Sequence, residues 1–163
     1  MSQERPVRRP VSRIEIRLQI GEGLLAASDD PLFLGIGGPC GREFRLELAQ
    51  GRSLRRGAED HYVLGPKGGE PSTNVKHPEL NDPTEPVIDA DAIAGVYLRK
   101  GTDPIPNVRA VGELDDRLQV IAATVDIHAE NGSTPIRFGR RGPIWLGLAS
   151  GLRFELARLS GAP

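Results

Sequence analysis

Three histidines, one cysteine and several adjacent carboxylates are the residues whose types could do chemistry in this chain. His61, His77 and His128 stand on separate stretches, with neither the HxH nor the HExxH spacing that brings two imidazoles onto one zinc ion. Cys40, the only cysteine, sits in "GGPCGRE" and reads as a small buried apolar residue; alone it forms no internal disulfide. No serine stands in GxSxG, and Ser28, Ser53 and Ser150 read as turn serines. The glycines of "GIGGPCG" lack both the GxxxxGK[ST] pattern and a following helix, so they build no phosphate cradle of that type. Asp29 and Asp30 offer loop carboxylates of the kind calcium collects, roughly six to eight oxygens at a time. Asp before Pro31 is equally ordinary turn chemistry. Nothing here demands catalysis, and the chain is read as a non-enzyme. A small enzyme would have to be assembled around His61, Asp60 and His128.

The elements that must position these residues are strands. "RIEIRLQI" alternates strictly, with Ile14, Ile16, Leu18 and Ile20 on one face and Arg13, Glu15, Arg17 and Gln19 on the other. Such a period of two puts one face on a core and the other in water. "PLFLGI", "EFRLEL" and "DHYVLG" continue the series, separated by glycine-bearing turns. A stretch rich in proline and glycine, "GPKGGEPSTNVKHPELNDPTEPVID", then forbids a regular ladder and reads as a long surface excursion suited to partner contact. Order returns with a short helical turn and a strand at residues 96–99, a long strand at residues 118–128, and a closing hairpin from "RGPIWLG" and "LRFELARL". In that hairpin Trp145 is expected to anchor the strand to the core. The expectation is an all-β chain, an antiparallel β-sandwich of about eight strands.

Composition agrees with this class. Hydrophobic residues make up 38% but aromatics only 4%, so the core rests on aliphatic side chains. Gly 20 and Pro 14 favour many turns. Lys+Arg 21 against Asp+Glu 22 leaves a net charge of -1, which argues against a nucleic-acid protein working through bulk positive charge. No segment approaches the roughly 20 apolar residues of a membrane-spanning helix, and "MSQERPVRRPV" carries no apolar run of a secretory signal. A cytoplasmic location is the expectation.

Several pieces, taken in order, resemble the PLAT/LH2 (lipoxygenase-homology) family: "RIEIRLQIG", "SDDPLFLGIGG", "REFRLEL", "LRRGAEDHYVL", "VYLRKGTD" and "RLQVIAATVDI". Arg56, Gly57, Asp60 and Tyr62 stand where that family's pattern has its Arg, Gly, Asp and aromatic. The turn is read as structural wiring, with Gly57 supplying an unusual φ and Asp60 taking backbone N–H groups or pairing with the arginine. Arg55 departs from the pattern's acidic residue, and no Trp precedes Leu118. The resemblance implies a β-sandwich used for docking on lipid surfaces or proteins, sometimes with calcium in the end loops. It also places Asp103 near Asp29 and Asp30, making those three the candidate calcium ligands.

Three segments follow: a basic, Pro-rich arm (1–12), the sandwich (13–128, with the 65–90 excursion), and a C-terminal hairpin extension (129–163) packed on it. The function expected is non-catalytic docking onto protein partners in a larger assembly. Arg5, Arg8 and Arg9 of the arm and His77 of the excursion are assigned to partner contact. The alternative is a calcium-assisted lipid- or carbohydrate-binding module. The candidate loop tips offer Leu24 and Leu25 but no Trp or Phe, with no Lys/Arg cluster beside them, which weighs against a membrane. A basic patch joining Arg137, Arg140 and Arg141 to the arm is the remaining anion-binding idea.

Overall fold

The computed structural model describes residues 8–23, 26–101, 117–148 and 150–160. The fold is all-β: β1 (Val11–Ile20), β2 (Leu32–Gly37), β3 (Glu43–Arg45), β4 (Glu59–Leu64), β5 (Gly95–Lys100), β6 (Leu118–Ala129), β7 (Ile136–Leu146) and β8 (Arg153–Leu159). All pair antiparallel, in the order β3-β2-β5-β8-β7-β6-β1-β4. The sheet curls into two layers because β8 changes partner along its length. Arg153–Leu156 pair with β5, and Ala157–Leu159 pair with β7.

The alternation read in β1 holds. Ile14, Ile16, Leu18 and Ile20 are buried among Leu32, Leu34, Val96, Leu98, Val125 and Ile127 from both layers. Gly35 is needed where it stands, since a Cβ there would lie 2.0 Å from the Tyr97 ring on the neighbouring strand. The short helical turn expected before β5 is a single 3-10 turn, Ala90–Ala92, whose Asp89 side chain accepts the Asp91 N–H.

Two segments differ from their sequence reading. Residues 129–163, expected as an added hairpin, supply β7 and β8, which take interior places in the strand order. The Pro-rich excursion is no free surface loop; it closes the open side of the sandwich. β3 and β4 are the two edges of the sheet, and an uncovered edge leaves a row of unpaired backbone groups. Asn74 supplies the missing partners of β4: its Oδ1 accepts the Val63 N–H (2.8 Å) and its Nδ2 donates to the His61 carbonyl (2.8 Å). Beyond β3, Ala49 and Lys76 donate to the carbonyls of Asn74 and Glu47, and Asn81 Oδ1 accepts the Arg45 N–H at 2.7 Å. Val75 and Ile88 are buried in the seam.

The N-terminal segment is tied down in the same way. The Arg8 and Arg9 N–H groups donate to the Asp89 carboxylate, and Arg9 reaches Asp91 (2.9 Å) and Ser133 (2.9 Å). Its described end is therefore held by its own chain. Cys40, expected to be buried, is exposed: it occupies a left-handed turn position (φ 59°) between β2 and β3, at the surface of the sandwich.

Candidate binding surface

Strand direction decides which residues meet. β1, β3, β5 and β7 finish at one end of the sandwich, so residues 26–31, 46–58 and 147–152 gather there. Hydrogen bonds link the loops. Lys100 N–H donates to Leu152, Gly101 N–H to Pro31, and Gly57 N–H to Gly21.

Asp29 and Asp30 come to this end, each on a cation of the protein. Lys100, only 2% exposed, hydrogen-bonds through Nζ to Asp30, whose side chain is 16% exposed. Asp29 is 88% exposed and meets Arg52, itself 69% exposed, at 2.8 Å. The third candidate ligand, Asp103, and the tip residues Leu24 and Leu25 lie outside the described residues. Among the described residues no three of His, Cys, Asp and Glu stand close enough together to hold a metal ion. Lys100 went unremarked in the sequence although a signal existed: Val96, Leu98 and Lys100 share the inward face of β5.

Two adjoining clefts, of about 160 and 230 Å³, open beside these pairs. Arg45, Arg52, Arg55, Arg56 and Lys76 line them against Asp29, Asp30 and Glu47, leaving an excess of positive charge. Glu47 is held by Lys76 (2.8 Å) and Arg45 (3.1 Å), and the Lys76 hydrogen bond keeps its carboxyl below the usual range. Arg55 and Arg56 are exposed, and neither guanidinium has a partner among the described residues. On the same end Leu148 is 68% exposed.

The turn bearing these arginines is fastened by hydrogen bonds to Asp60. Leu54 is buried at φ 59°, a left-handed conformation uncommon for a leucine. Its N–H donates to Asp60 Oδ2 (2.7 Å), which also accepts the Tyr62 hydroxyl (2.9 Å). Gly57 follows at φ 68°. Asp60 thus takes a backbone N–H, the first of the two roles the resemblance suggests.

His61 and His128 do come together, on the outer face of β4-β1-β6-β7. Glu15 receives His61 Nε2 at 3.0 Å and Arg13 Nε at 2.9 Å, with His128 Nε2 at 3.5 Å. Asp60 cannot join them, because neighbours in a strand point to opposite faces. Arg137 is bound bidentately to Asp126 (2.6 and 3.0 Å), and Arg140 lies over Phe154. Trp145 is half-buried on β7 with Arg117 over its ring. His77 is exposed, 3.7 Å from Glu79, and Arg5 lies outside the described residues.

This outer-face cluster sets a pH dependence. Burial, then the Arg13 charge, hold His128 below its ordinary value of 6.5 against the pull of Glu15 and Asp126. Burial raises the Glu15 carboxyl, but the His61 hydrogen bond and the Arg13 and His128 charges outweigh it and hold the group below 4.5. A depressed histidine resists protonation in the folded state, so stability is lost as pH falls through 6.5 towards the folded value. The Glu15 contribution is present above 4.5 and is lost below it, with the same sign. Urea midpoints should therefore fall on acidification from pH 7 to 5. His128→Gln should flatten that slope, and an unchanged slope would remove His128 from the account.

No protein-family model matches the chain, and no curated protein matches its sequence. Solved structures do resemble it in fold. Alpha toxin from Clostridium absonum is 16% identical with TM-score 0.57, over 90% of this chain and 31% of that one. Alpha-toxin of Clostridium perfringens is 16% identical with TM-score 0.55, over 95% and 34%. A coral 8R-lipoxygenase, described in terms of calcium activation via a C2-like domain, is 12% identical with TM-score 0.54, over 90% and 17%. The class defined is an all-β antiparallel sandwich, a fold shared with part of each of these proteins. The chain spans about a third or less of the structures it matches. No helix among the described residues is long and apolar enough to cross a membrane.

Proposed function

We propose that this chain is a PLAT/LH2-like binding module, without chemistry of its own, that docks its loop end onto an anionic lipid surface. The observation that carries the reading is the composition of that end. It carries Arg55 and Arg56, whose guanidinium groups have no partner among the described residues, and on a separate loop of the same end an exposed Leu148, basic and apolar groups that suit an anionic lipid surface. Protein docking through the arm and the excursion is not the reading taken up, since Arg8 and Arg9 at the described end of the arm, and Asn74 of the excursion, are bonded within the chain. The calcium activation described for the coral lipoxygenase suggests a metal-assisted variant of the same docking. Here the cations already resident on Asp29 and Asp30 favour docking without metal.

Co-sedimentation with vesicles tests the reading. Binding to phosphatidylserine–phosphatidylcholine vesicles, weakened by salt and by Leu148→Ser, is expected; phosphatidylcholine alone should retain little protein. Equal absence from both pellets would sink it.

A further inference from the structure

We infer that the larger cleft, between residues 52–56 and residues 27–29, is a site for the phosphate of a lipid headgroup, with Asp29 as its internal competitor. The inference rests on the docking reading and locates its polar contact. The cleft, about 230 Å³, has space for several molecules the size of a water at roughly 30 Å³ each and is roomy enough for a phosphate group. Three arginines line it: Arg52, Arg55 and Arg56. The planar fork of arginine matches phosphate oxygens in pairs, which an ammonium does not.

Three observations point to an anion rather than a solvated charged face. The backbone N–H groups of Arg55 and Arg56, like their side chains, find no acceptor among the described residues. The turn that presents them is held in an unfavourable conformation at Leu54, fastened by Asp60, so the donors are positioned before any ligand arrives. One of the three arginines already carries an anionic oxygen: Asp29 Oδ1 lies 2.8 Å from Arg52 Nη2. That pair is mostly exposed and correspondingly weak. A phosphate ester entering between Arg52 and Arg55–Arg56 meets three forks at once and displaces the carboxylate.

The role of Asp29 separates this proposal from calcium-assisted docking. A calcium ligand strengthens binding when present; a competitor weakens it. Vesicles of phosphatidylserine and phosphatidylcholine, with EDTA throughout, are titrated with wild type, Arg55→Gln/Arg56→Gln and Asp29→Asn. All three positions are exposed, and thermal melts confirm that each variant is folded. The double arginine variant should lose about thirtyfold in affinity, on the order of a factor of five for each arginine. Asp29→Asn should gain severalfold. In parallel, inorganic phosphate followed by amide NMR should shift residues 53–57 in wild type and not in the double variant.

Vesicle binding indifferent to the arginine variant overturns the cleft and leaves docking intact. Binding that requires calcium and falls in Asp29→Asn overturns it in favour of the metal. Phosphate shifts at residues 53–57 without vesicle binding sink the membrane reading while retaining the anion cleft.

Discussion

Replacing Lys100 by methionine is expected to destabilise the protein by about 3 kcal/mol, towards the lower end for a broken buried ion pair because Asp30 keeps some contact with water. Lys100 is the most deeply buried charge among the described residues, on an inward position of β5, and its ammonium is bound to Asp30 and close to the Gly101 carbonyl. Methionine fills the volume but leaves the Asp30 carboxylate beside an apolar wall. The companion Lys100→Met/Asp30→Asn should recover much of the loss, since no charge then remains without its counterion. Urea midpoints of the two variants decide the matter: a single variant within about 1 kcal/mol of wild type would show that the pair is solvated. The same protein distinguishes the two accounts of the aspartate loop. A calcium-induced rise in Tm confined to Lys100→Met would identify Lys100 as the substitute for an ion.

Asp60→Ala should cost a similar amount, about 3 kcal/mol, through two buried donors left without an acceptor at roughly 1–3 kcal/mol each. One is the N–H of Leu54, held at φ 59°, and the other is the Tyr62 hydroxyl. Burial above all pushes the Tyr62 phenol far above its ordinary value of 10.0, so it remains a donor throughout the working range. Asp60→Asn keeps one acceptor oxygen and should lose less. The consequence for docking is specific. Once the Leu54 N–H is released, the turn need not present Arg55 and Arg56, so vesicle affinity should fall even at temperatures where the variant is folded. A folded Asp60→Ala protein that binds vesicles like wild type would contradict the role given to this turn.

Much of this architecture was legible in the residues alone. The alternation in "RIEIRLQI" determines which side chains of β1 enter the core, because a pleated strand sends successive side chains to opposite faces. The same rule keeps His61 apart from Asp60 and puts Lys100 in line with Val96 and Leu98. The run from Arg52 to Gly57 announced a charged turn, while the family resemblance left Asp60 two roles, of which the structure shows the bond to a backbone N–H. The excursion was misleading for a reason that generalises. Prolines and glycines report that a segment is no strand, but they do not say whether its side chains will serve a neighbouring strand.

What the sequence by itself determined is the set of strands, the residues that face the core and the position of one charged turn, all of which depend on neighbours along the chain. Only the tertiary structure decided that β8 joins the two layers, that Asn74 and Asn81 close the open edges, and that Asp30 meets a lysine 70 residues away. The physical reason is that periodicity records which way a side chain points. Hydrogen bonds and ion pairs between distant segments depend on where the chain returns, and they leave no repeating trace in the order of residues.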